Sequence, residues 1–435
     1  MSLAFPQINI PRRISYADPE VGGGKTHSLE HFAAHPFTGK GIIAIQSIEL
    51  ATEIEAELIS KGVSVLRIDT DAFPYKDGEL TCTEILNDAL KADEHHFLIC
   101  NHEVGLRANP QYAKHYDAYF DEVPPIYKRH FLDGAVQSHG MVSSLFTSLP
   151  LPKKKAENDL SSVVEKKTEW RQVIATDAGV SFLETNKLEK LVKADSKVYE
   201  AVQKANDSEN YILYGDAHIN ESFRLGREGS LVLHSIMKPA VFDKFRSVTV
   251  LGAHFTWSLM YLIWKEVYGV GFSLHEQIMT IGEEGIRYQD LKHKALTTKV
   301  YCISDRDCSK TLYKKIDYQP TFDATHDAFK ALIKAEFPEE MKPDEIKHLV
   351  FLNNKPKEVR KAFTWKDEAN GIVLSSAARG WDAYKEVDAA IFLAACNEHP
   401  DTYQLLIDIY DLNHDAVDRA TCLEVSATNT PPFLL

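Results

Sequence analysis

Ile14-Ser15-Tyr16-Ala17-Asp18-Pro19-Glu20-Val21-Gly22-Gly23-Gly24-Lys25-Thr26-His27 is the stretch on which the fold turns. A short, partly apolar run leads into a glycine turn, and Leu29, Phe32 and Ala33 then recur at helical spacing. In a strand–glycine loop–helix setting, backbone N–H groups face phosphate oxygens and the helix turns its positive end toward them. Gly22, Gly23, Gly24 and His27 would then cradle the phosphates of ATP. Lys25 would reach the β- and γ-phosphates, and the Thr26 hydroxyl would sit on Mg²⁺. Pro19 stands where the full phosphate-loop pattern has glycine, so the loop needs support from elsewhere in the chain.

That support is Asp121-Glu122, which follows the strand-like run from Tyr116 to Phe120. An aspartate at a strand end can hold Mg²⁺, and the adjacent glutamate can orient or deprotonate an attacking water. An isolated Asp-Glu pair would mean little, since such pairs are common on solvated helix faces. Downstream of a glycine-lysine-threonine turn it completes an ATP hydrolysis site, with Lys25, Asp121 and Glu122 as catalytic residues and Thr26 and Asp121 as metal ligands.

The 435 residues suffice for two or three domains, and 44% hydrophobic with 26% charged residues is a globular composition. No apolar run has the length of a membrane span. The segment with Pro6, Pro11 and Arg12-Arg13 lacks the apolar core of a secretory signal, so the expectation is a cytoplasmic protein that engages no membrane. The six cysteines are scattered; Cys302 and Cys308, the nearest pair, supply too few ligands for a structural zinc or iron–sulfur site. A net charge of −14 argues against binding duplex nucleic acid through a broad basic surface. It leaves room for a local groove that grips a single strand with amides, hydroxyls and a few basic groups.

Alternating apolar strands and amphipathic helices mark the first half as a parallel α/β sheet. Gly41–Ile45, Val63–Ile68 and His96–Cys100 are strand candidates there, and Ser247–Leu251 resumes the same core. The intervening polar texture, with the Lys153-Lys154-Lys155 triplet, predicts a charged, largely helical insertion over about 126–230. A second α/β unit follows, with strand candidates at 300–303, 349–352, 371–374 and 389–393. The expected domains are 1–265 and 266–435.

In the order of its segments the chain resembles the superfamily 2 helicases of the DEAD/DEAH-like type. Gly22–Thr26 resembles their motif I and Asp121-Glu122-Val123-Pro124 their motif II. Gln46-Ser47-Ile48-Glu49-Leu50 and Asn101-His102-Glu103 are similar to segments that contact the nucleic-acid backbone. Leu251-Gly252-Ala253-His254-Phe255-Thr256 looks like motif III with both hydroxyls replaced, and Val350–Asn354 looks like motif IV. The octet Ser375-Ser376-Ala377-Ala378-Arg379-Gly380-Trp381-Asp382 is very like motif V.

This resemblance implies two RecA-like domains with ATP and Mg²⁺ between them and Asp382 near the nucleotide. It also implies a single strand, DNA in preference to RNA, lying over Ser47, Asn101, Ser375, Ser376 and Arg379. On the residues alone, Ser47 and Ser375 equally suit helix caps, Asn101 a turn and Arg379 a solvated surface. The arginine-bearing motif VI has no counterpart after Asp382, where only Arg419 remains. Poor hydrolysis, a second polypeptide completing the second domain, and incomplete cover over Leu405, Leu406 and Ile409 are the corresponding expectations. A helicase or translocase is the leading reading. The alternatives are a hydrolysis-deficient nucleotide- or nucleic-acid-binding module and the motor subunit of a restriction-type DNA enzyme.

Overall fold

The computed structural model describes residues 14–19, 24–74, 80–133, 139–151, 168–186, 193–227, 230–280, 331, 335, 348–352, 371–375, 389–392, 400–413, 415–417 and 420. From its start the chain runs through β1 (Ile14–Ala17), α1 (Lys25–Ala33), β2 (Gly41–Ile45), α2 (Ile48–Ser60) and β3 (Val65–Ile68). It continues through α3 (Cys82–Ala92), β4 (Phe97–Asn101), α4 (His102–Leu106), α5 (Pro110–Ala113) and β5 (Asp117–Asp121).

An excursion then adds β6 (Tyr127–Asp133), α6 (His139–Ser144), β7 (Phe146–Pro150), β8 (Trp170–Ala175) and α7 (Asp177–Thr185). It closes with α8 (Lys193–Asn206), β9 (Tyr211–Asp216), α9 (Ala217–Arg224) and β10 (Ser230–Met237). The chain then returns as β11 (Ser247–Leu251), α10 (Leu259–Glu266), β12 (Phe272–Leu274) and α11 (Glu276–Thr280). Beyond these lie β13 (His348–Leu352), β14 (Gly371–Ser375), β15 (Ala389–Phe392) and α12 (Pro400–Tyr410).

The first sheet is seven-stranded and parallel, in the order β12-β1-β11-β5-β2-β4-β3. Successive side chains of a strand point to opposite faces, and here both faces are covered. Ile43, Ile45, Ile99, Tyr119 and Leu251 pack beneath Leu29 and Phe32 of α1 and Ile54 and Leu58 of α2. Ile42, Ala44, Leu98, Phe120 and Val250 pack on the other face with Leu86, Leu90, Val104, Ile263 and Trp264. This double burial explains why Gly41–Ile45 reads as an unbroken apolar run. The chain is an α/β protein built on this seven-stranded parallel sheet. That sheet extends past the expected boundary at 265, because β12 pairs in parallel with β1. In the later part, β14-β13-β15 form a three-stranded parallel sheet.

Two expectations are corrected. The insertion is more than helices: besides α6 to α9 it holds a five-stranded antiparallel sheet, β6-β10-β9-β8-β7. β8 (Trp170–Ala175) was hidden because only Trp170 and Val173 of the strand are buried, and it lies in a Lys- and Glu-rich neighbourhood. The expected gap over the last helix is also absent. Leu405 and Leu406 are fully buried and Ile409 nearly so, within the same core as Trp170, Tyr214 and Phe242.

Helix α12 docks on the insertion through polar contacts too. Trp170 Nε1–H donates to Asp408 Oδ2 (3.1 Å), and the hydroxyls of Tyr127 and Thr402 lie 2.8 Å apart. Arg129 pairs with Asp401 (3.2 Å). Among the described residues no helix is long and apolar enough to cross a membrane.

Candidate nucleotide and strand site

Parallel register brings the candidate residues to one edge. Ala17 lies opposite Leu251, Leu251 opposite Asp121, and Ile45 opposite Asn101, so the carboxyl ends of β1, β11, β5, β2 and β4 are aligned. In open α/β sheets this is the edge that receives ligands. Gly24 precedes α1 there with φ 83°, a left-handed conformation that glycine adopts without steric cost. Gly22 and Gly23 lie outside the described residues.

Thr26 and Asp121 meet directly: the Thr26 hydroxyl donates to Asp121 Oδ2 at 3.0 Å. Lys25 Nζ stands 3.9 Å from Glu122 Oε1. Asp121 is 1% exposed, and its other oxygen, Oδ1, is buried without a hydrogen-bond partner among the described residues. Burial pushes its pKa up; the Lys25 ammonium opposes this, the Glu122 charge adds to it, and the Thr26 hydrogen bond pulls it back.

A buried carboxylate with an orphaned oxygen suits a divalent cation. No group of three or more His, Cys, Asp or Glu able to hold a metal occurs among the described residues. Mg²⁺ ordinarily takes one or two protein ligands and completes its shell with water and phosphate.

Glu122 adopts φ 80°, an uncommon conformation for a residue with a side chain. Its amide donates to the Leu251 carbonyl (2.8 Å), so β5 and β11 are joined past their last ladder pair. This backbone bond links the segments that resemble motifs II and III. Gly252 packs tightly beside it: a Cβ there would come within 2.6 Å of Val123 Cγ2, so the valine side chain would have to move. Asp18 completes the edge by accepting the Phe255 amide (3.0 Å).

Three further groups converge without a sequence signature. His102 Nε2 lies 3.1 Å from the Asp121 carbonyl oxygen, and its ring meets Phe120 edge-on. The segment carrying Asn101 is thereby tied to the backbone of the candidate metal ligand. Glu30, on the second turn of α1, is pushed up to about 7 by burial, with Lys61 opposing and Glu57 and Asp121 adding. Its carboxylate lies 3.4 Å from His27 Nδ1, and His27 and His31 bring their Nε2 atoms to 3.1 Å. His27 thus faces its own helix. Spacing of three and four residues along α1 brings His27, Glu30 and His31 together, and burial raises Glu30.

The candidate strand contacts are helix caps. Ser47 Oγ accepts the Leu50 amide (3.1 Å) and Asn101 Oδ1 the Val104 amide (2.8 Å). Both remain on the aligned edge. Ser375 ends β14 opposite Leu352, and its side chain lies outside the described residues. Ser376, Arg379 and Asp382 lie outside them as well, as do the Lys153–Lys155 triplet, the strand candidate at 300–303 and Arg419.

No protein-family model matches the sequence, and no curated protein matches it. Solved structures similar to the chain include an XPD helicase at 8% identity, covering 96% of this chain and 90% of that one with a TM-score of 0.39. Xpd4 of S. tokodaii is similar at 8% identity, covering 97% and 89% with a TM-score of 0.39.

Proposed function

We propose that this chain is an ATP-driven motor that moves on single-stranded nucleic acid, with ATP and Mg²⁺ bound at the carboxyl edge of the seven-stranded sheet. The observation that carries the reading is the Thr26–Asp121 hydrogen bond at 3.0 Å, which leaves Asp121 Oδ1 buried and unpartnered. Thr26 and Asp121 would hold Mg²⁺, and the ion would offset charge on the β- and γ-phosphate oxygens.

Lys25, a quarter exposed, would give up its loose contact with Glu122 and turn to the phosphates. That frees Glu122 to take a proton from the attacking water. The water oxygen forms a bond to the γ-phosphorus as the bond to the ADP oxygen breaks, giving ADP and phosphate. The Glu122–Leu251 backbone bond holds the main chain of Glu122 at the strand end. Ser47 and Asn101, as caps on the same edge, are the candidate contacts for the strand, and His102 connects the Asn101 segment to Asp121.

A steady-state ATPase assay with and without a single-stranded oligonucleotide, on wild type and Lys25→Ala, tests the proposal. Turnover stimulated by the strand and lost in Lys25→Ala is expected. Wild-type protein that neither binds nor hydrolyses ATP would refute it.

A further inference from the structure

Trp257 stands apart from the other described tryptophans. Trp170 and Trp264 are buried, and their indole N–H groups donate to Asp408 Oδ2 (3.1 Å) and the Met237 carbonyl (2.9 Å). Trp257 is 53% exposed. Its ring stacks on His254, with centroids 4.8 Å apart and planes 14° from parallel.

The loop that presents this pair is held from both sides. His254 takes φ 57°, and its carbonyl accepts the Trp257 amide (2.8 Å). Phe255, fully buried, stacks on Tyr16 (4.9 Å), while its amide is fixed by Asp18. Ser258 then caps α10 by accepting the Tyr261 amide (3.1 Å). The indole is therefore a fixed plate that follows β11, on the edge that carries Asp121 and Asn101.

From this geometry we infer that Trp257, backed by His254, is a base-stacking platform for the single strand. The inference rests on the nucleic-acid reading above. Charge favours this occupant's mode of binding. With a net charge of −14 the chain offers no broad basic surface to phosphates, so an aromatic face that holds bases supplies grip that overall charge does not. An exposed aromatic plate accepts any base, because every base has a π-face.

The test compares wild type, Trp257→Ala and Trp257→Phe for binding an oligothymidine strand and the same strand with abasic sites, each also scored for ATP affinity. Trp257→Ala should weaken oligothymidine binding about 5- to 150-fold, the range for losing one stacked base. It should leave the already weaker abasic binding and the ATP affinity unchanged, and Trp257→Phe should retain most of the affinity. Equal loss for both strands would assign Trp257 a backbone or structural role and overturn the inference. So would lost ATP affinity, which would mean the plate stacks adenine, and so would unchanged oligothymidine binding. If wild type itself binds no strand, the nucleic-acid reading fails and the inference with it. A defect confined to the variants' expected pattern leaves that reading standing.

Discussion

Replacing Asp121 by Asn should stabilise the nucleotide-free protein and at the same time remove its response to Mg²⁺ and ATP. The carboxylate is 1% exposed, and one of its oxygens has no partner among the described residues. Burial raises its folded pKa above the ordinary 3.8. A carboxyl raised in this way favours folding at low pH and loses that contribution as pH rises through the folded value.

The surroundings of Asp121 disfavour the charged carboxylate, a penalty that Asn does not carry. A buried polar group without a partner costs about 1–3 kcal/mol, and more when charged. The Lys25 ammonium and the Thr26 hydroxyl offset part of this. A net gain of about 1–2 kcal/mol for Asp121→Asn follows, or a rise of about 2–8 °C at the usual 2–4 °C per kcal/mol for domains of 150–250 residues.

The ligand works the other way. At a hundred times its dissociation constant, a nucleotide that binds only the folded state adds about 2.7 kcal/mol. Wild type should gain that protection from Mg²⁺ and ATP, and Asp121→Asn should gain almost none. Thermal unfolding of both proteins, with and without Mg²⁺ and ATP, reads all four values. An Asn variant that melts below wild type without ligand, or that keeps the full ligand shift, refutes the reasoning.

Glu122→Gln should bind Mg²⁺ and ATP as wild type does but turn over about 10²–10⁴-fold more slowly, since the amide cannot accept the proton; wild-type turnover in a single-turnover assay would remove Glu122 from the chemistry. Leu406→Ala, at a fully buried position, should cost about 2–5 kcal/mol and raise amide exchange in β8 and β9. Unchanged exchange there would mean that α12 does not support the insertion. The insertion should also be acid-sensitive. Burial, then the nearby Lys204 charge, lowers His130 from 6.5 to about 3; Lys204 and Lys128 outweigh burial and lower Glu200 from 4.5 to about 2. Both folded values are depressed, so the stability they contribute is complete above 6.5 and is lost as pH falls through the folded values. Denaturant midpoints flat between about pH 7 and about pH 4 would contradict this.

How much was legible depended on the range of the interactions. Gly41–Ile45 announces itself because a strand buried on both faces is apolar along its length, and Val248, Val250 and Leu251 mark Ser247–Leu251 despite Ser247 and Thr249. The Thr26–Asp121 pairing was legible too, since each residue sits at the end of a strand–loop unit with a local signature. β8 was not, because only two of its residues face the core, and a strand with so few apolar marks reads as solvated chain. Nor was His102, whose placement beside Asp121 depends on how α4 packs. The close approach of Gly252 to the Val123 side chain was not legible either, since it arises only where β5 and β11 end side by side.

The docking of α12 has a consequence for how the chain comes to be folded in a cell. The Tyr127 hydroxyl waits for Thr402, 275 positions later, and the Trp170 indole waits for Asp408, 238 positions later. At about 5–20 residues per second, the ribosome takes roughly 14–55 s to deliver Thr402 after Tyr127. Throughout that interval the surface that Leu405 and Leu406 will cover is open to water, to other nascent chains and to holdases. The insertion is made early and finished late, so its exposure during synthesis is set by the speed of translation.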